Sequence, residues 1–141
     1  MKGYLPFMAA CLLAGCTTLP PLSEGVTLSV RSYDRVTGDY VLELRNETAR
    51  PVLYLNPYLN FDTARRPQPE QFPESPEGMA LMVHSTKLVP GGSVVLSGKC
   101  TPGGPCSRPE TYVAVRACWF AKAWNCEQYF PIWSKTPLTG V

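Results

Sequence analysis

His84 is the side chain best suited to act as a general base near neutral pH, and it is the only histidine among 141 residues. Ser-His-Asp and Cys-His mechanisms need such a base beside a nucleophile, and no Gly-x-Ser-x-Gly turn surrounds any serine. Met79, Met82 and His84 are soft ligands suited to copper. Strand alternation would place Met79 on the face opposite the other two, which favours packing over metal binding.

The N-terminal residues have the pattern of an export signal. Met1-Lys2-Gly3 is a short basic start, and the mostly apolar stretch from Tyr4 to Leu13 reaches only about half of a 30 Å hydrocarbon core. The stretch ends in Leu13-Ala14-Gly15-Cys16, an apolar residue and two small residues followed by cysteine. This motif resembles the lipobox of bacterial lipoproteins.

The resemblance implies that residues 1–15 are a cleaved signal peptide and that Cys16 is lipidated and becomes the first residue. Thr17 follows it where an aspartate could stand, which by similarity to enterobacterial lipoproteins favours the outer membrane, with the domain facing the periplasm. Residues 16–24, stiffened by two prolines, are interpreted as a tether to a domain at 25–141. The alternatives are a general signal peptide with a coincidental cysteine, or a buried apolar N-terminal strand.

Cys11 would leave with the signal peptide, so four cysteines remain besides Cys16, an even set in a compartment that permits disulfides. Cys100 and Cys106 flank a Pro-Gly-rich segment, and Cys118 and Cys126 flank the tip of a predicted hairpin. Three pairings are possible, of which 100–106 with 118–126 is preferred because each pair closes a local turn. A zinc site is the competing interpretation, and the wide spacings argue against it.

Two groups of residues are candidates for binding a partner. Trp124 and Lys122 lie in the aromatic-rich tip between two cysteines, which has the form of a rigid protein-binding hot spot. The alternative is that Trp124 folds back over the end of the domain, while Trp119 is expected in the core. Arg65 and Arg66 lie in a Pro-rich stretch, where they either help to dock a partner or are a solvated pair of charges.

Composition excludes several classes of protein. Lys and Arg total 13 and Asp and Glu total 11, a net charge of +2 without a clustered basic stripe, so no nucleic-acid partner is expected. Apolar residues make up 45% of the chain, which excludes wholesale disorder. Proline and glycine number 15 and 11, which favours short strands joined by turns over a helical bundle.

The period of the apolar residues predicts an all-β domain. Val26, Leu28 and Val30 alternate with polar residues, and further short strands follow over the next hundred or so residues. Residues 60–78, with four prolines, are expected to be a long loop. About seven turn-linked strands predict an antiparallel two-sheet sandwich, whose order resembles immunoglobulin-like bacterial domains.

Together these features predict a lipid-anchored, non-enzymatic protein of the cell envelope that binds another envelope or periplasmic protein. An envelope-assembly accessory and an inhibitor or immunity lipoprotein both fit this description. No cofactor, catalytic residue or metal ligand is expected. The alternative is a small periplasmic enzyme or metal carrier that uses His84.

Overall fold

The structure, a computed structural model, describes residues 23–65, 70–71, 85–101, 103–104, 106, 108–120 and 128–140. Within these residues the chain forms eight strands and a short 3₁₀ helix. The strands are β1 (Val26–Tyr33), β2 (Asp39–Asn46), β3 (Val52–Asp62), β4 (Glu70–Gln71), β5 (Ser85–Leu88), β6 (Ser93–Lys99), β7 (Tyr112–Trp119) and β8 (Gln128–Trp133), and the 3₁₀ helix is Leu138–Gly140.

The strands form two antiparallel sheets. One has the order β1-β2-β6 and the other has the order β4-β8-β7-β3-β5. The chain changes sheet between β2 and β3, between β5 and β6, and again between β6 and β7, which is the Greek-key connectivity of immunoglobulin-like sandwiches. The predicted all-β, antiparallel two-sheet sandwich is confirmed, with eight described strands in place of about seven.

The main core lies between the two sheets and follows the alternation of the strands. Apolar side chains at every second position point inward, where they lose their contact with water. The fully buried members from the first sheet are Leu28, Leu42 and Leu44, and those from the second are Val52, Val113, Val115 and Ala117. Trp119, expected in the core, is half-buried and packs against this cluster.

The five-stranded sheet is also buried on its outer face. Leu53, Leu55, Cys118 and Tyr129 form a second cluster there, with Phe120 packed against it. The hydroxyl of Tyr129 lies 2.9 Å from Ser85 Oγ on the edge strand β5. Burial raises the pKa of this phenol. Two buried faces explain why β3 begins as a continuous apolar run and not as an alternating one.

Strand β3 continues further than the sequence indicated. Its register with β7 shifts between Tyr54 and Leu59, around Pro57, which has no N–H to donate to a ladder. The strand resumes because Leu59 and Phe61 pack on the core, and it ends at Asp62. Strand β4 also falls within 60–78. Residues 60–62 therefore belong to β3, and the predicted loop over the rest of 60–78 falls mostly on residues outside the described part and stays a prediction there.

Hydrogen bonds between turns define two opposite ends of the sandwich. At the entry end, where the described chain begins at Ser23, Glu47 N donates to Gly25 O at 2.8 Å and Phe120 N donates to Pro51 O at 3.0 Å. At the far end, Cys100 N donates to Gly38 O at 2.9 Å, and the 3₁₀ helix is tied to the residue before β7. β1 runs from one end to the other, and its eight residues separate them by about 25 Å.

The entry end is held together by one buried amide. Asn46 is fully buried, and its Nδ2 donates to Arg50 O at 2.7 Å, Leu88 O at 3.3 Å and Val89 O at 3.4 Å. Its Oδ1 accepts from Thr48 N at 3.0 Å and from Thr48 Oγ1 at 2.6 Å. One side chain therefore joins the β2–β3 turn to the β5–β6 turn.

Candidate protein-binding site

Many of the residues singled out in the sequence lie outside the described part of the chain, so their roles stay predictions. They are the cysteine predicted to be lipidated, most of the predicted partner-binding residues, one cysteine of the second predicted pair, and the predicted soft-ligand group: Cys16, Arg66, Met79, Met82, His84, Lys122, Trp124 and Cys126. In the described part, no group of three or more His, Cys, Asp or Glu side chains could hold a metal ion. No described helix has the length and hydropathy needed to cross a bilayer.

Of the predicted partner-binding residues, Arg65 lies in the described part of the chain. It follows the end of β3 at the far end, where its guanidinium lies 4.9 Å from the ring centre of Tyr112. Arg66, Lys122 and Trp124 lie outside the described residues, so their part in partner binding stays a prediction.

The cysteines support the far end of the sandwich. Cys100 and Cys106 form a disulfide with their Cα atoms 6.2 Å apart, a separation typical of bonded pairs. Both side chains are buried in the main core, and Cys100 packs beneath the β1–β2 turn. Cys118 is also disulfide-bonded, and its pairing with Cys126 remains a prediction.

The turn between β1 and β2 is a rigid element at the far end. The Asp34 carboxylate accepts from Val36 N at 2.8 Å and from Thr37 N at 3.2 Å, while Gly38 N donates to Asp34 O at 2.8 Å. These two backbone donors hold the pKa of Asp34 below its usual value, helped by the charge of Lys99. The turn therefore keeps its shape at neutral pH and holds Val36 out into solvent, 85% exposed.

Beside this turn lies an open pocket of about 190 Å³, lined by Tyr33, Arg35, Pro109 and Thr139. Arg35 Nη2 donates to Thr139 O at 2.9 Å, which fixes the guanidinium at the rim. No acidic side chain among the described residues forms an ion pair with Arg35. Small-molecule sites usually exceed about 300 Å³, so the volume suits a single inserted side chain better.

The cations of the entry end are engaged differently. Arg50 lies 5.1 Å from the ring centre of Trp119, and Lys87 lies 4.4 Å from that of Phe120. Both cations therefore already lie over aromatic faces of their own domain. Among the described residues, these two cations are therefore less available to a partner than Arg35, whose recorded side-chain contact is to a backbone carbonyl.

The outer face of the three-stranded sheet carries a small charge network. Arg31 and Arg45 both form ion pairs with Glu43, and the distance from Arg45 Nη2 to Glu43 Oε1 is 2.9 Å. The hydrogen bond from Arg31 lowers the pKa of the Glu43 carboxyl. These ion pairs lie on a solvated surface, where such pairs contribute little to stability.

Sequence reasoning missed Arg35 and Val36. Both residues lie between β1 and β2, and turn residues are ordinarily polar and solvated. The valine carried no local signal of its own, because single exposed apolar side chains are common on protein surfaces, and the grouping with the pocket is visible only in the folded chain. Comparison with models of known protein families found no match, and comparison with curated proteins found none either.

Proposed function

We propose that this chain is a lipid-anchored, non-enzymatic protein of the bacterial cell envelope that binds another protein. The anchor is Cys16, placed by the lipobox resemblance, and the membrane is the outer membrane on its periplasmic side. Envelope-assembly accessory and inhibitor or immunity protein are the two roles that fit. No cofactor takes part.

The observation that supports the proposal best is the arrangement of the two ends. The described chain begins at Ser23, seven residues after Cys16, and enters the sandwich at the entry end. The exposed Val36 and the pocket beside it lie about 25 Å away along β1, at the far end. A domain anchored through its entry end would therefore present the far end to the periplasm.

The anchor is tested by intact mass and membrane fractionation of the full chain. Cys16→Ser should abolish the acyl mass and release the chain from membranes, because the thioether cannot form. Cys11→Ser is the matched control, since that cysteine is predicted to leave with the signal. A Cys16→Ser chain that keeps its acyl mass and its membrane location contradicts the proposal.

The enzyme or metal-carrier alternative depends on His84, since no other residue offers a base with an ordinary pKa near neutrality. His84→Ala should leave the biological activity of the chain unchanged if the chain acts by binding. A loss of activity without a loss of folded protein would favour the alternative.

A further inference from the structure

We infer that the far-end surface formed by Tyr33, Arg35, Val36, Pro109 and Thr139 docks a segment of a partner protein that carries a carboxylate next to an apolar side chain. This inference rests on the proposed function, because it locates the binding surface and states the chemistry of the partner. The surface is hereafter called the Arg35 surface.

The positive charge of Arg35 is the reason to expect a carboxylate on the partner segment. Its guanidinium has five N–H donors in a planar fork, of which the structure commits one to Thr139 O. That bond orients the fork without neutralising it, and the nearest acidic residue in sequence, Asp34, directs its carboxylate at its own turn. An oriented guanidinium that has no counterion among the described residues is well suited to bind a carboxylate through paired hydrogen bonds.

The apolar part of the site is Val36 together with the pocket. At 85% exposure, Val36 is the most exposed of the large hydrophobic side chains in the described structure. The pocket beside it has an aromatic ring and a proline among its lining residues and a volume of about 190 Å³. A partner that covers Val36 and inserts one apolar side chain would remove apolar surface from water on both proteins.

The turn is also preorganised for binding. Asp34 fixes the backbone of Val36 and Thr37, and the carbonyl of Gly38 accepts from Cys100, whose disulfide is buried in the core. Little conformational entropy remains to be lost when a partner docks on such a turn. The same rigidity makes the surface specific, since it cannot adjust to a partner of a different shape.

The first test uses two pools of short synthetic peptides that differ only in Asp or Asn at one position between apolar residues. Binding to the full-length chain in detergent is followed by backbone NMR shifts at Arg35, Val36 and Thr139. The Asp pool should bind at least about tenfold more tightly than the Asn pool, as expected for a charge-assisted pair. Equal binding of the two pools overturns the assignment of a carboxylate.

Variants locate the site. Arg35→Gln should remove the preference for Asp, and Val36→Ser should weaken both pools, while each melting temperature stays near that of the parent chain. Val95→Ser is the matched control, because Val95 is 63% exposed on β6, away from the Arg35 surface. Unchanged binding by both Arg35→Gln and Val36→Ser, or an equal loss with Val95→Ser, overturns the proposal.

A photocrosslinking residue at position 36, 87 or 95 of the full chain in cells separates this inference from the proposed function. A protein adduct at 36 that Arg35→Gln abolishes supports the inference. Adducts at 87 or 95 but not at 36 keep the protein-binding function and overturn the location. Adducts at none of the three overturn both, and an adduct at 36 that a muramidase removes assigns the surface to the cell wall and overturns the protein partner.

Discussion

Asn46→Ala should be one of the most destabilising substitutions of a polar side chain in this domain. The change removes three short hydrogen bonds, at 2.6, 2.7 and 3.0 Å, and two longer ones. Each short bond contributes about 1 kcal/mol net, and the carbonyl of Leu88 loses its partner at a buried position, which adds a desolvation cost. The free energy of unfolding should therefore fall by about 3–4 kcal/mol, which corresponds to about 10–15 °C in melting temperature.

Urea denaturation of the oxidised chain measures this loss, and Asn60→Ala is the matched control. Asn60 lies in β3, is half-buried, and forms no side-chain hydrogen bond with another described residue. Its replacement should cost less than about 1 kcal/mol. If the two alanine variants unfold within about 0.5 kcal/mol of each other, the Asn46 amide does not join the two turns in the way described.

Asn46→Asp should make the stability of the domain depend on pH. The new carboxylate has the shape of the amide but faces the carbonyl oxygens of Arg50 and Leu88, which should raise its pKa in the folded state. Stability relative to the parent chain is then greatest below the unfolded-state pKa of about 3.9 and falls as the pH rises through the higher folded-state pKa. A variant that is equally destabilised at acidic and neutral pH would contradict this electrostatic reason.

Three further predictions concern the far end, with the β5–β6 turn at the entry end as a comparison. Gly38→Ala should cost more than about 2 kcal/mol, because a Cβ there would overlap the carbonyl of Cys100, whereas Gly91→Ala, also at positive φ but in open space, should cost only about 1 kcal/mol. In chemical denaturation, replacing Cys100 and Cys106 together by serine should lower the free energy of unfolding by about 2–3 kcal/mol under oxidising conditions, with no difference from the parent chain in reductant. Asp34→Ala should lower the melting temperature at pH 7, and the difference from the parent chain should disappear as the pH falls through the lowered pKa of Asp34, since the protonated carboxyl no longer holds the turn.

The sandwich could be predicted because its inner faces alternate. Val26, Leu28 and Val30 of β1 were expected on one strand face, and the structure places all three in or against the core between the sheets. Alternation could not reveal the second cluster, which includes Leu53, because that face is buried through contacts with strands far away in sequence. The continuous apolar run that opens β3 was the one local sign of it.

The limits of β3 and of the candidate site were hidden for a similar reason. Pro57 correctly marks a break in the ladder, yet the strand resumes because Phe61 packs 6.0 Å from Tyr40, a partner on the other sheet. The Arg35 surface likewise joins β1 to Pro109 and Thr139, which come together only when the sheets close. Local propensity describes each of these residues as an ordinary turn or loop position, and only tertiary contacts reveal their grouping.

The burial of Asn46 has a practical consequence for how this protein can be produced. Asn46-Glu47-Thr48 has the form of an N-glycosylation sequon, and a eukaryotic secretory pathway modifies such triplets while the chain is still unfolded. A glycan on Nδ2 would replace a donor that must reach Arg50 O across 2.7 Å in a fully buried site. A glycosylated chain therefore could not form the hydrogen bonds of Asn46 that join the two turns at the entry end. Secretion from yeast or animal cells would yield glycosylated chains that cannot reach the native fold.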